Sequence, residues 1–159
     1  MPIRSAISRD FKYLVDIYVK AFRTSFRGHL PDIYLDTFNE KSPPAITVLE
    51  GFKNGTVFVY EEDAPLGFIQ LIETGGQMEL KLLYISPDAQ GKGIGKQLLS
   101  KTTEFAQQRG YSEVIIWTLQ NGPGRGFYEK HGARVTGKNR RWIEDTIIVE
   151  LMLPVKRDQ

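Results

Sequence analysis

The stretch Leu83-Tyr84-Ile85-Ser86-Pro87-Asp88-Ala89-Gln90-Gly91-Lys92-Gly93-Ile94-Gly95-Lys96 constrains this chain more than any other part of it. An apolar run passes into a turn, then into a glycine-rich loop, then into a segment with helical periodicity. Glycines at alternate positions leave the amides of roughly residues 91 to 96 uncovered, and the first turn of a helix adds unpaired N–H groups and the positive end of its dipole. That combination suits a phosphate or pyrophosphate. The Walker A pattern is absent, since no window has glycines five apart followed by Lys and Ser or Thr. The dinucleotide fingerprint fails as well: Gly95 comes two residues after Gly93, where three are needed.

With 159 residues the chain is expected to form a single domain, 1–159, whose core needs neither disulfides nor metal. A formal net charge of +2 gives no field that would favour nucleic acid or an anionic membrane. The absence of cysteine excludes disulfides, a thiolate nucleophile and a Cys-based zinc site. The start Met1-Pro2-Ile3-Arg4 lacks the apolar run of a signal peptide, and no 18 consecutive residues are apolar, so a cytoplasmic location is expected. Monomer and homodimer both stay open.

The periodicities predict a strand over 2–7, a helix from Ser8 to Gly28 carrying Phe11, Leu14, Val15, Tyr18, Phe22 and Phe26, and a short helix over 31–38. The segment 45–53 is helical at best. Three strands follow as a meander over 56–60, 66–73 and 78–86. A helix from Ile94 stops at Gly110; then come a strand over 113–119, a short helix over 122–131 and strands over 133–142 and 146–153. The order β-α-α-β-β-β-α-β-α-β-β implies a mixed, mostly antiparallel α/β sheet of six or seven strands, parallel where the long helix crosses over.

Between strand and helix stands Gln-x-x-Gly-x-Gly: Gln90, Gly93 and Gly95. After the 113–119 strand stands Asn121-Gly-Pro-Gly-Arg-Gly-Phe127-Tyr128-Glu129-Lys130-His131-Gly132. The first resembles the acyl-CoA loop of the GNAT superfamily of N-acyltransferases. The second is similar to the Asn-x-x-Ala-x-x-Phe-Tyr-x-x-x-Gly that these proteins commonly carry there, through Asn121, Phe127, Tyr128 and Gly132. The resemblance covers roughly residues 56 to 135, and over the first 50 residues it extends only to the helix pattern. It implies a GNAT-like sheet with helices on both faces and strands splayed after residue 83. It also implies acetyl-CoA as cosubstrate, with no metal. Where the family has a small helix former this chain has Gly124, close to Gly122, Pro123 and Gly126. Each glycine weakens a helix by about 1 kcal/mol, so this helix is expected to begin late or fray without cofactor.

The resemblance also places roles. Leu83, Tyr84 and Ile85 would run beside the pantetheine arm, through backbone groups of Leu83 and Ile85. Gln90, Gly91, Lys92, Gly93, Ile94, Gly95 and Lys96 would grip the pyrophosphate, and Asn121, Phe127 and Tyr128 would complete the cofactor site. Asn121 could instead cap its helix. An alkyl ammonium of pKa ~10.4 must lose a proton before it attacks a thioester, which calls for a base. Glu79, six residues before Ile85, holds a position from which GNAT enzymes often supply a carboxylate; Glu73 is the runner-up. At ~3.3 Å per residue Glu79 lies ~20 Å from the phosphate end, the span an extended pantetheine arm must bridge. Strand parity puts Glu79, Lys81, Leu83 and Ile85 on one face unless a bulge intervenes. The Tyr128 hydroxyl would protonate or hold the leaving sulfur, and a backbone N–H would meet the oxyanion.

The acceptor wall implied by the family's first two helices contains Phe26, Arg27, His29, Leu30 and Tyr34, with Trp142 at the mouth. Trp117 reads as core, and Lys138, Arg140 and Arg141 as solvated strand charge. The expected reaction is direct transfer of acetyl from acetyl-CoA to a primary amine in a ternary complex, because no cysteine is present to carry the acyl group. The acceptor is open between a small amine, polyamine or antibiotic and a protein amine. A non-catalytic acyl-CoA-binding sensor or docking module is the alternative.

Overall fold

The computed structural model describes residues 2–156. Its elements in chain order are β1 (Ile3–Ser5), α1 (Phe11–Ser25), α2 (Asp32–Asp36), α3 (Pro43–Gly51), β2 (Thr56–Glu62), β3 (Ala64–Thr74), β4 (Gln77–Ile85), α4 (Ile94–Gln108), β5 (Glu113–Leu119), α5 (Pro123–Lys130), β6 (Arg134–Arg141) and β7 (Ile147–Pro154). Seven strands form one sheet in the order β1-β2-β3-β4-β5-β7-β6. Only β4 and β5 run parallel, joined by α4 as a crossover, and every other neighbouring pair is antiparallel.

Each face of the sheet has its own core. On one face α1, α2 and α3 bury Leu14, Phe22, Leu35 and Phe38 against Val59 and Phe68. On the other, Leu98 and Phe105 of α4 and Tyr128 of α5 cover Ile69, Leu80, Ile116 and Leu151. The segment expected to be helical at best is the full helix α3. Pro43 and Pro44 fit its first turn, and beyond its end Phe52 packs on Phe11 and Phe68 at 5.2 and 5.5 Å between ring centroids. Helix α1 stops at Ser25, short of Gly28, where Phe26 turns back to meet Phe22 edge-on at 4.6 Å. Among the described residues no helix is long and apolar enough to cross a membrane.

Two irregularities of β4 decide where chemistry is possible. Gln70 pairs with Leu82 but the next residue, Leu71, pairs with Leu80, so Lys81 bulges out of the ladder. The bulge breaks the expected parity: Met78, Leu80, Leu83 and Ile85 share the α4 face, while Leu82 and Tyr84 share the α1 face with Glu79. Glu79 is therefore not on the face of Leu83 and Ile85. The second irregularity is that β4 and β5 pair only at Met78–Val114, Glu79–Ile115 and Leu80–Ile116. The strands part from residue 80 onward, three residues earlier than expected.

Candidate active site

Past Leu80 the edge of β4 that faces β5 is unclaimed. Ser86 donates its N–H to Leu66 of β3 at 2.8 Å, and antiparallel alternation then turns the backbone groups of Tyr84 and Leu82 toward β3. The N–H and C=O groups of Leu83 and Ile85 consequently point into the gap. The Ile85 carbonyl is met there by the Gln90 side-chain amide at 3.3 Å, which ties the end of the strand to the loop. An extended chain with amide groups of its own can pair with the remainder of this edge, as an added strand would.

At the open end of the gap lies the glycine loop. Gly91 and Gly93 have φ of +80° and +79°, a left-handed backbone that a side chain rarely adopts, and the space beside both is open. Gly93 is the N-cap of α4 and has no side-chain cap. The amides of Gly93, Ile94, Gly95 and Lys96 have no acceptor among the described residues. Four unpaired N–H groups at the N-terminus of a 15-residue helix fit an anion such as a diphosphate. Gly95 has a second reason to be glycine: a Cβ there would stand 3.2 Å from Ile85 and 3.3 Å from Phe127. Phe127 thus brings α5 against the start of α4.

Helix α5 begins at Pro123, directly after its cap Gly122, and so does not start late. Gly122 and Gly124 serve close packing, whereas the space beside Gly126 is open. A Cβ on Gly122 would lie 2.8 Å from Leu119, and one on Gly124 would lie 3.0 Å from the Thr118 hydroxyl. Asn121 makes no capping bond, and its side chain is exposed. Tyr128 is 9 % exposed, and its hydroxyl has no partner among the described residues, nor is it sealed from solvent. Burial holds this phenol well above its ordinary pKa, so it stays protonated at neutral pH.

The residues expected to wall the acceptor lie on the α1 face of the sheet. Trp142, in the β6–β7 connection, packs on Phe26 at 5.5 Å and Phe22 at 6.0 Å, and Tyr34 lies 6.4 Å from Phe22. The structure therefore brings Phe26, Tyr34 and Trp142 together around the end of α1, on the face that Glu79 shares. Arg27 is exposed and pairs with Asp36 at 2.9 Å and Asp32 at 3.4 Å, closing the α1–α2 turn. It borders a recess of about 490 Å³ with Lys20, Arg23 and the Ser86–Asp88 turn. Glu73 is not brought to the site. It lies beside the β3–β4 hairpin, accepts a hydrogen bond from the Tyr111 hydroxyl at 3.0 Å and pairs with Arg109 at 3.6 Å.

Three features escaped the sequence reading. The Tyr84 side chain faces the acceptor side, with its ring edge-on to Tyr18 at 4.8 Å. Trp117 is half-buried, and the Arg140 guanidinium lies over its ring at 4.3 Å. Glu150, opposite Trp117 on β7, is buried and accepts a hydrogen bond from Thr136 at 2.7 Å. Glutamate within a β-branched apolar run is the one signal that could have singled out Glu150. Among the described residues no group of three His, Asp or Glu side chains is placed to hold a metal.

The acetyltransferase (GNAT) domain family matches residues 53–132, half of the chain. The N-acetyltransferase YuaI of Bacillus subtilis is 29 % identical over 138 residues, covering 81 % of this chain and 78 % of that protein. The peptidyl-lysine N-acetyltransferase YjaB of Salmonella typhimurium is 39 % identical over 83 residues, 52 % of each chain. The spermidine N(1)-acetyltransferase of Thermoplasma acidophilum is 23 % identical and covers 84 % of this chain and 88 % of its own. Among solved structures, the PaiA N-acetyltransferase of T. acidophilum in complex with coenzyme A superposes with a TM-score of 0.73 at 21 % identity, over 93 % of this chain and 96 % of that one. With that fold, an open β4–β5 gap and an amide cradle at its end, the chain belongs to the GNAT acetyltransferase family, an acyltransferase whose acetyl donor is acetyl-CoA.

Proposed function

We propose that the chain acts as one domain, 1–159, and transfers acetyl from acetyl-CoA to a primary amine by direct attack in a ternary complex. The arrangement that carries this reading is a gap with an anion cradle at one end, a protonated phenol on one side and a carboxylate on the other. The amides of Gly93 to Lys96 hold the diphosphate, helped by Gln90, Gly91 and Lys92. Leu83 and Ile85 pair with the pantetheine arm, and Asn121 and Phe127 flank it. The acceptor enters past Phe26, Arg27, Tyr34 and Trp142. Glu79 takes a proton from the ammonium, directly or through water, and the neutral amine attacks the thioester carbon. The N–H of Leu83 faces the oxyanion, and Tyr128 donates its proton toward the departing thiolate.

Spermidine and peptidyl-lysine, named for two relatives, are both primary amines and support that acceptor chemistry. Free-thiol release from acetyl-CoA across polyamines, aminoglycosides, amino acids and lysine peptides tests the reading and finds the acceptor class. Product-dependent ping-pong kinetics would contradict direct attack. Glu79→Gln is expected to lower the rate by about tenfold or more below the amine's pKa and much less above it, where the amine is already neutral. A pH–rate profile of the variant that overlays the wild type removes Glu79 from the mechanism.

A further inference from the structure

Tyr84 is flanked in sequence by the two residues whose backbone faces the gap, yet its own side chain leaves on the acceptor side. Its ring is held edge-on by Tyr18 at 4.8 Å and stacked against Phe68 at 6.1 Å. Tyr18 in turn lies 5.6 Å from Phe22, whose neighbours Phe26 and Trp142 stand at the acceptor mouth. The ring is thus fixed from two sides while the hydroxyl has no partner among the described residues and is not sealed from solvent. A phenol left unbonded among so many rings is costly unless a ligand or water reaches it. The side chains of Tyr84 and Tyr128 belong to opposite faces of the sheet.

We propose that the Tyr84 hydroxyl positions the attacking amine. It accepts a hydrogen bond from one N–H of the neutral amine and turns the nitrogen lone pair toward the thioester carbon. This rests on the acetyl-transfer reading above. No bond to the phenol forms or breaks. The nitrogen–carbon bond forms, the carbon–sulfur bond breaks, and the sulfur keeps its electron pair and takes a proton from Tyr128, which regains one from water. Glu79, having passed the ammonium's first proton to solvent, accepts the surplus proton left on nitrogen after attack. A primary amine has two N–H groups, one for Tyr84 and one for the route to Glu79. An N-methyl amine has one and cannot serve both, so the site favours primary amines.

The test is Tyr84→Phe, which keeps the ring and its contacts. We expect kcat/KM for the best primary amine to fall by about tenfold or more, with coenzyme A affinity within about twofold and Tm within about 2 °C. The preference for that amine over its N-methyl derivative should shrink by a similar factor. Retention of wild-type kcat/KM and of the full preference overturns the proposal. So does an equal loss of coenzyme A affinity, which would make Tyr84 a cofactor ligand. If the wild type binds coenzyme A but releases no thiol with any primary amine, the transfer reading itself fails and this proposal with it.

Discussion

Replacing Tyr128 by Phe is expected to cut turnover by about tenfold or more while leaving affinity for coenzyme A within about twofold. The ring keeps its place, because packing against Phe127 at 5.4 Å and the surrounding core needs no oxygen. Only the hydroxyl is lost, and nothing among the described residues uses that hydroxyl for stability. On the proposed mechanism the hydroxyl acts only when negative charge gathers on sulfur. Burial raises the phenol, so it stays protonated and able to donate a hydrogen bond to the nascent thiolate. Because the shift is upward, the phenol stays neutral throughout pH 6–9 and contributes no alkaline limb there. Steady-state kinetics of the variant, with coenzyme A binding measured separately, checks both halves; wild-type turnover would remove Tyr128 from the acid role.

Gly93→Val is expected to weaken coenzyme A by about tenfold or more while sparing kcat at saturating donor. Its φ of +79° lies where a β-branched residue is a genuine outlier, so the loop must shift to relieve the strain. Space is not the obstacle, since nothing lies within 4 Å of the added Cβ. A shifted Gly93 misaims the amides of Ile94, Gly95 and Lys96, which converge only when the helix starts from this cap. Binding suffers because the diphosphate is gripped equally in ground and transition states, which places the effect in KM for the donor. Calorimetry with coenzyme A and a donor-concentration series on the variant measure the two quantities. An unchanged dissociation constant would mean that the diphosphate is held elsewhere.

Local patterns foretold the elements well because each carries its own punctuation. Proline and glycine bound α5, an apolar run marks β5, and helical spacing from Ile94 marks α4. The cradle was legible for the same reason, since glycines at alternate positions before an amphipathic helix have few other uses. What escaped was the bulge at Lys81. Leu80-Lys81-Leu82-Leu83 reads equally well in either register, and only pairing with Gln70 and Leu71 decides it. That single residue puts Glu79 and Tyr84 on the α1 face of the sheet. Glu73 fell out of the site for a tertiary reason too, because Tyr111 and Arg109, nearly 40 residues onward, claim its carboxylate. Gly122 and Gly124 looked like weakness until Leu119 and Thr118 showed why larger residues do not fit there.

The central claim is that the gap and its amide cradle take up coenzyme A. Titrating the protein with coenzyme A in a calorimeter tests it without any knowledge of the acceptor. A saturable exothermic isotherm with one site per chain is expected, and its affinity should drop in Gly93→Val. Absence of heat up to millimolar coenzyme A would contradict it.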